Sequence, residues 1–302
     1  MSEQLPFLNS VQVGRALEKL CHLPDNCIDV TVTSPPYNKH ENTYGWLVRT
    51  DRYSHYQDRQ PESAYQAWQV DVLDELHRVT KPGGSLFYNH KTRWVDGKML
   101  HPLEWILHSS WNLRQEIIWD RSLAANVRGW RFWQVDERIY WLYKPIDNHL
   151  VGKELESCHA KMGSIWRIKP VSRNKIHPSP FPLELPLRAI YSMPGEERKL
   201  ILDPFCGMGT TLVAAKLLGH DYIGIDIAPD YVAYSRERLE NYEAEREQSD
   251  TEISKHVVRD PFRNRKERGT VKWPFAPPHM NGHSEEQTDL SEEGRQTGGE
   301  ES

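Results

Sequence analysis

Leu200-Ile201-Leu202-Asp203-Pro204-Phe205-Cys206-Gly207-Met208-Gly209-Thr210-Thr211 is the stretch from which the rest of the chain is read. An aliphatic run ends in a carboxylate, two glycines follow, and Leu212 to Leu218 continues with helical spacing up to Gly219, so the order is strand, glycine turn, helix. Tyr222-Ile223-Gly224-Ile225-Asp226-Ile227 supplies a second strand ending near Asp226, and Tyr231 to roughly Glu247 a charged helix. Such a βα unit lets backbone approach a nucleotide while a carboxylate takes a ribose hydroxyl pair.

The turn is not built for phosphate. A P-loop needs Gly-Lys-Ser/Thr where Gly209-Thr210-Thr211 stands, and a dinucleotide turn needs a third glycine where Leu212 stands. A carboxylate at Asp203 repels an anion and welcomes a cation, which suits the amino and sulfonium groups of S-adenosyl-L-methionine. The ordinary structural alternative is a bare glycine turn between sheet and helix.

Upstream, Ile28 to Thr33 is a β-branched run stopped by Pro35 and Pro36, a buried strand delivering its end into the loop Ser34-Pro35-Pro36-Tyr37-Asn38. Residues 39–61 show no period and read as a long surface loop. Trp68, Val72, Leu76 and Val79 recur at helical spacing within Tyr65 to Val79, and Lys81-Pro82-Gly83-Gly84 is expected to end that helix in a turn before a strand at Ser85 to Asn89. A short helix at His101 to His108, strands at Glu116 to Trp119 and Arg138 to Tyr143, and a helix at Leu183 to Tyr191 complete a layered α/β sheet. Residues 145–176 lose periodicity; across 121–175 there are 11 Lys or Arg against 5 Asp or Glu, a candidate insertion with a basic face. Residues 248–302 lose apolar periodicity and are expected to be disordered.

Composition narrows the function classes. The chain has 302 residues, 38% hydrophobic and 27% charged, with mean hydropathy −0.72. It holds no apolar run of the roughly 20 residues a membrane span needs, and Met1 to Ser10 lacks signal-peptide order, so a cytoplasmic protein without a membrane partner is expected. Cys21, Cys27, Cys158 and Cys206 form no C-x-x-C pair and have no His at zinc spacing, so neither a disulfide framework nor a metal is expected. The net charge of −5 belongs to the end of the chain: residues 281–302 hold seven acids against Arg295, and residues 1–280 hold 37 basic against 36 acidic side chains. A polyanionic partner is therefore not excluded.

The Ser34-Pro35-Pro36-Tyr37 turn has a chemistry of its own. Two prolines fix φ and withhold N–H groups, which leaves carbonyl acceptors beside an aromatic ring. Hydrogen bonds from both protons of an exocyclic amine localise its lone pair for attack, while the ring stacks on the base. Standing alone, the turn is more often a proline-stiffened loop with a packing tyrosine.

Together, Thr33 to Asn38 and Asp203 to Thr211 resemble the amino-group DNA methyltransferases of the permuted (beta) class, in which the catalytic motif precedes the cofactor motif. Lys81 to Leu86, Ile117 to Asp120, Glu137 to Lys144 and His177-Pro178 with Phe181-Pro182 resemble further family motifs in the family's order, from about Val11 to Glu240. The resemblance implies a Rossmann-like, mostly parallel seven-stranded sheet. It divides the chain into a catalytic half at 1–144, a target-recognition insertion at 145–176, a cofactor-binding half at 177–247 and a tail at 248–302. It implies that Ser34, Pro35, Pro36 and Tyr37 bind and activate a flipped base. Asp203, Phe205, Gly207, Gly209 and Thr210 would hold the methionine side of S-adenosyl-L-methionine, Asp226 its ribose, and His177, Pro178 and Phe181 would close the pocket. The family commonly has an acidic residue after glycine near the adenine, whereas here Gly14 precedes Arg15.

The implied reaction is direct in-line transfer to an amine of double-stranded DNA, with no nucleophilic cysteine. In this family Ser before Pro-Pro-Tyr goes with cytosine N4 and Asp with adenine N6, so N4 is expected and N6 is the alternative. Glutamine methylation in a protein and an inactive binding module are the more distant readings. Arg128, Arg131, Lys153, Lys161, Arg167 and Arg173 are candidate DNA contacts, with Arg121, Trp130, Trp133 and Trp166 beside them; His40, Tyr44, Trp46 and Arg49 could also reach DNA, and any of the tryptophans could instead be core. The type is most familiar from restriction systems, so a cognate restriction endonuclease is a candidate partner, and the chain is expected as a monomer or homodimer.

Overall fold

The alternation of strand and helix takes this form in a computed structural model that describes residues 5–38, 60–123, 129–146, 162–171, 181–195, 197–257 and 267–270. The chain divides into Met1–Arg259, which holds every element named below, and Asp260–Ser302. In chain order the elements are β1 (Ser10–Val13), α1 (Ala16–Leu20), β2 (Ile28–Thr33), α2 (Glu62–Val79), β3 (Thr80–His90), the hairpin β4 (Arg93–Val95) and β5 (Lys98–Leu100), α3 (Leu103–Ile106), β6 (Asn112–Asp120), β7 (Asp136–Tyr143), β8 (Ile165–Arg167), α4 (Glu184–Tyr191), β9 (Leu200–Asp203), α5 (Thr210–Leu217), β10 (Asp221–Asp226), α6 (Pro229–Glu240) and α7 (Arg246–Ser254).

Eight strands share one sheet in the order β1-β10-β9-β2-β3-β7-β6-β8. The first five pair in parallel, β7 runs antiparallel to both β3 and β6, and β8 lies parallel to β6. Residues alternate between the two faces, as the pleat requires. Leu86, Tyr88, Tyr140, Leu142, Leu202 and Ile223 face a core built with Leu73 and Leu76 of α2 and with Trp105 and Ile106 of α3. Phe87, Ile139, Trp141 and Ile201 face the other core with Leu187 of α4, Val213 of α5 and Val232 of α6. A sheet buried on both faces explains why Leu200–Leu202 of β9 and Tyr222–Ile225 of β10 read as unbroken apolar runs.

Four expectations change. The sheet has eight strands rather than seven, because Ile165–Arg167, within the segment read as an insertion, adds to its edge beside β6. The Lys81-Pro82-Gly83-Gly84 turn is an irregularity inside β3. Ile28 pairs with Thr80 and Val30 with Ser85, and Gly83 at φ 83° takes up the extra length. Gly84 is pressed so close that an added Cβ would lie 2.8 Å from Asp29 O, while Lys81 Nζ ties the bend to the Asp29 carboxylate at 2.8 Å. The helix at His101 to His108 shrinks to Leu103–Ile106 after Pro102. Finally, the tail boundary at 248 falls inside α7. That helix is anchored by Arg188 Nε to Glu252 Oε1 at 2.5 Å, so order extends through residue 257. The rest of the expected tail, apart from 267–270, lies outside the described residues, as do residues 39–59.

Candidate active site

Strands β1, β10, β9 and β2 are parallel neighbours, so their carboxyl ends open on one edge of the sheet, the usual place for a ligand in such a fold. A cleft of ≈ 570 Å³ lies there, and both motifs line it: Ser34, Pro35, Pro36 and Tyr37 on one side, Asp203 to Met208, Thr210 and Thr211 on the other, with Asp226 and Phe181. A hydrogen bond from Thr33 Oγ1 to Asp203 Oδ1 at 2.7 Å joins the two turns directly.

Asp203 ends β9 and is 5% exposed. Its Oδ1 also accepts the Phe205 N–H at 3.1 Å. Burial pushes its carboxyl up to about 7, only partly opposed by the Thr211, Thr33 and Phe205 hydrogen bonds. Asp226 ends β10 and accepts from Gly207 N at 2.8 Å and Ala228 N at 2.9 Å; burial raises it too. The two carboxylates thus sit in one cleft with neutral hydrogen-bond donors around them, an electrostatic setting for a cation. Gly209, at φ 74°, opens α5, and a Cβ there would collide with Ser235 Oγ of α6. The Thr210 hydroxyl, expected toward cofactor, accepts from Arg238 NH1 at 2.8 Å although the residue lines the cleft.

The serine turn is held from behind. Ser34 Oγ lies 2.7 Å from Tyr37 OH, which donates to Glu137 Oε2 at 3.0 Å. Asn89 Nδ2 lies 2.7 Å from Tyr37 OH and 3.1 Å from Glu137 Oε2, and Arg121 NH1 donates to Glu137 Oε1 at 2.8 Å. The His90 ring packs on Tyr37 at 4.4 Å, and Tyr65 OH donates to Pro36 O at 2.8 Å, so that carbonyl is already engaged. Asn38 closes the turn: Gln60 N donates to its Oδ1 at 2.7 Å, and its Nδ2 donates to Gln60 O at 3.0 Å.

Other candidates separate. His177, Pro178, Arg128, Lys153, Lys161 and Arg173 lie outside the described residues, as do His40, Tyr44, Trp46 and Arg49. Arg131 sets its guanidinium 4.0 Å from the Trp94 ring, and Arg167 is exposed beside Asp120 at 3.4 Å. Trp166 is core, Trp130 and Trp133 are exposed, and Arg121 turns inward to Glu137. Sequence reading missed Trp68, whose helical period reads as core but whose ring meets Phe205 edge-on at 5.7 Å in the cleft wall. It also missed Glu137 and Asn89, which only strand pairing brings to Tyr37.

The cleft fits S-adenosylmethionine: a buried carboxylate suits the cationic methionine end, a second carboxylate stands at the end of β10, and Trp68, Phe181 and Phe205 give apolar walls. A family model for N6/N4 methyltransferases, described as DNA methylase, matches residues 28–237. The Type II methyltransferase M.BglII of Bacillus subtilis is 30% identical over 260 residues, 74% of this chain and 67% of the relative. The TTHA0409 protein of Thermus thermophilus, solved in complex with S-adenosyl-L-methionine, is 25% identical with TM-score 0.55, over 78% of this chain and 95% of that one. The fold is also that of PvuII DNA methyltransferase (cytosine-N4-specific), at TM-score 0.61 and 20% identity, over 81% and 91% of the two chains. With the permuted motif order, the shared cleft and a family match over most of the sheet, the chain belongs to the N6/N4 DNA methylase family, the S-adenosylmethionine-dependent DNA amino-methyltransferases.

Proposed function

We propose that this protein methylates the exocyclic N4 amine of cytosine in double-stranded DNA. The observation that carries the reading is the meeting of the Ser34 turn and the Asp203 turn in one cleft, linked at 2.7 Å. Bound S-adenosylmethionine supplies an electrophilic methyl group on a sulfonium. Asp203 and Asp226 attract and orient the donor, Phe205 and Phe181 shield it from water, and Gly207 lets the backbone approach it, while Gly209, which does not line the cleft, admits Ser235 of α6 against the turn. Ser34, Pro35, Pro36 and Tyr37 receive the everted base, with Ser34 Oγ as acceptor for the amine. Alignment and a freed lone pair then supply the catalysis. The neutral serine at position 34, where an aspartate goes with adenine in this family, supports cytosine.

Tritium from labelled cofactor is expected in N4-methylcytosine after digestion of methylated duplex DNA to nucleosides. Label in N6-methyladenine would overturn the choice of base, and DNA left unlabelled would overturn the reading as a whole.

A further inference from the structure

A buried polar chain through Tyr37, Glu137, Asn89 and Arg121 lies behind Ser34. Glu137 stands on β7, the antiparallel strand, its side chain 9% exposed. A carboxylate accepts hydrogen bonds and donates none. Tyr37 therefore gives its single hydroxyl hydrogen to Glu137 Oε2 at 3.0 Å. The 2.7 Å contact between Tyr37 OH and Ser34 Oγ then has one consistent direction, with Ser34 donating. Asn89 reinforces it, because the amide that approaches Tyr37 OH at 2.7 Å is also a donor to Glu137 at 3.1 Å, which fixes which way the carboxamide faces. Arg121 holds the other carboxylate oxygen at 2.8 Å and so keeps Oε2 aimed at Tyr37. With its hydrogen turned toward Tyr37, Ser34 meets the cleft with lone pairs.

We propose that Glu137 is a positioning residue that sets the direction of the Glu137, Tyr37, Ser34 chain, so that Ser34 meets the target amine as an acceptor, and that its carboxylate receives the proton displaced from that amine. The proposal rests on the amine-methylation reading. As the nitrogen–carbon bond forms and the carbon–sulfur bond breaks, the latter's electron pair goes to sulfur. The surplus N–H proton passes to Ser34 Oγ, the Ser34 proton to Tyr37 and the Tyr37 proton to Glu137. No other reactant is consumed.

The test compares Glu137→Gln, Tyr37→Phe and the double variant in single turnover on unmodified duplex DNA, with base eversion followed separately on a duplex carrying 2-aminopurine at the target position. Each single variant is expected to lose about 10²-fold in the methyl-transfer rate, the usual scale for a positioned proton acceptor. The fluorescence rise on base eversion and the affinities for cofactor and DNA are expected to stay at wild-type values. In the Tyr37→Phe background, Glu137→Gln is expected to cost nothing further, because the chain is already cut. Full rate in either single variant overturns the proposal, and so do losses that multiply in the double variant. Should Glu137→Gln fail to fold, Tyr37→Phe, which keeps the ring, still decides. Wild-type enzyme that labels no amine in DNA removes the underlying reading; a wild type that labels it beside a full-rate Glu137→Gln removes only the role of Glu137.

Discussion

At the scale of single residues, Asp203 is poised between two demands. Burial holds its carboxyl at about 7, so the free protein carries a proton there through mildly acid pH. A cation beside it favours the charged form. Cofactor binding is therefore expected to expel a proton below about pH 7, with affinity rising as pH approaches 7 and levelling above it. Calorimetry at pH 6 in two buffers of different ionisation enthalpy checks this: heats should differ between buffers for the wild type and coincide for Asp203→Asn, which should bind cofactor about 2 kcal/mol more weakly. Stability runs the other way. A carboxyl raised on folding contributes stability that is complete below the unfolded value near 3.8 and is lost as pH rises through about 7. Asp203→Asn should accordingly melt higher than wild type at pH 8. Asp203 and Asp226 were legible because each ends an apolar run in its own neighbourhood of sequence. Glu137 and Asn89 were not, since the pairing of His90 with Arg138 across β3 and β7 is what sets them beside Tyr37.

At the scale of elements, what the eye finds is apolar period, and what it misses is a helix held by charge. Helix α2 shows itself through Trp68, Val72, Leu76 and Val79. Helix α7, Arg-Glu-Gln-Ser-Asp-Thr-Glu-Ile-Ser, buries Ser249 and Glu252, a pattern with no apolar stripe. Glu252 is 1% exposed and takes Arg188 at 2.5 Å, Lys255 at 2.8 Å and His256 at 2.9 Å, which together hold its carboxyl down at about 2 despite burial. A carboxyl lowered on folding gives stability present above the unfolded value near 4.5 and lost as pH falls toward 2. Glu252→Gln leaves Arg188 buried without its anion and should cost about 3 kcal/mol in urea unfolding at pH 7, with the difference from wild type closing below about pH 2. The Lys81 to Gly84 bend was missed differently: Pro-Gly-Gly marks a break in pattern without saying whether the chain turns away or merely bulges. The close approach to Asp29 O, which only the folded sheet reveals, decides for a bulge.

At the scale of the whole molecule, the connection from β6 to β7 emerges on the same edge as the cleft, because Asp120 pairs with Asp136 and Arg138 with His90 at the end of β3. It carries Phe132, 98% exposed, between Trp130 and Trp133, also exposed, with Arg131 stacked near Trp94. On the proposed reading this surface meets the duplex around the everted base. Phe132→Ala is expected to weaken the 2-aminopurine signal while leaving the salt dependence of DNA binding unchanged; Arg131→Ala should reduce the slope of log affinity against log salt by about 1. Equilibrium titrations at several salt concentrations separate the two effects. The fold class was plain from the order of strands, glycine turn and carboxylates, whereas the exposure of these aromatics was not, because Trp141 and Trp166 in the same basic span, like Trp119 just before it, pack into the core.

The paired bonds between Asn38 and Gln60 have a consequence for the stretch of chain that they enclose. They bring both ends of residues 39–59 to one anchoring point beside the serine turn, and the entropy of closing a loop grows only with the logarithm of its length. Because the clamp joins the Asn38 side chain to the Gln60 backbone, a change in the length of chain between residues 38 and 60 is expected to leave the register of the strands untouched.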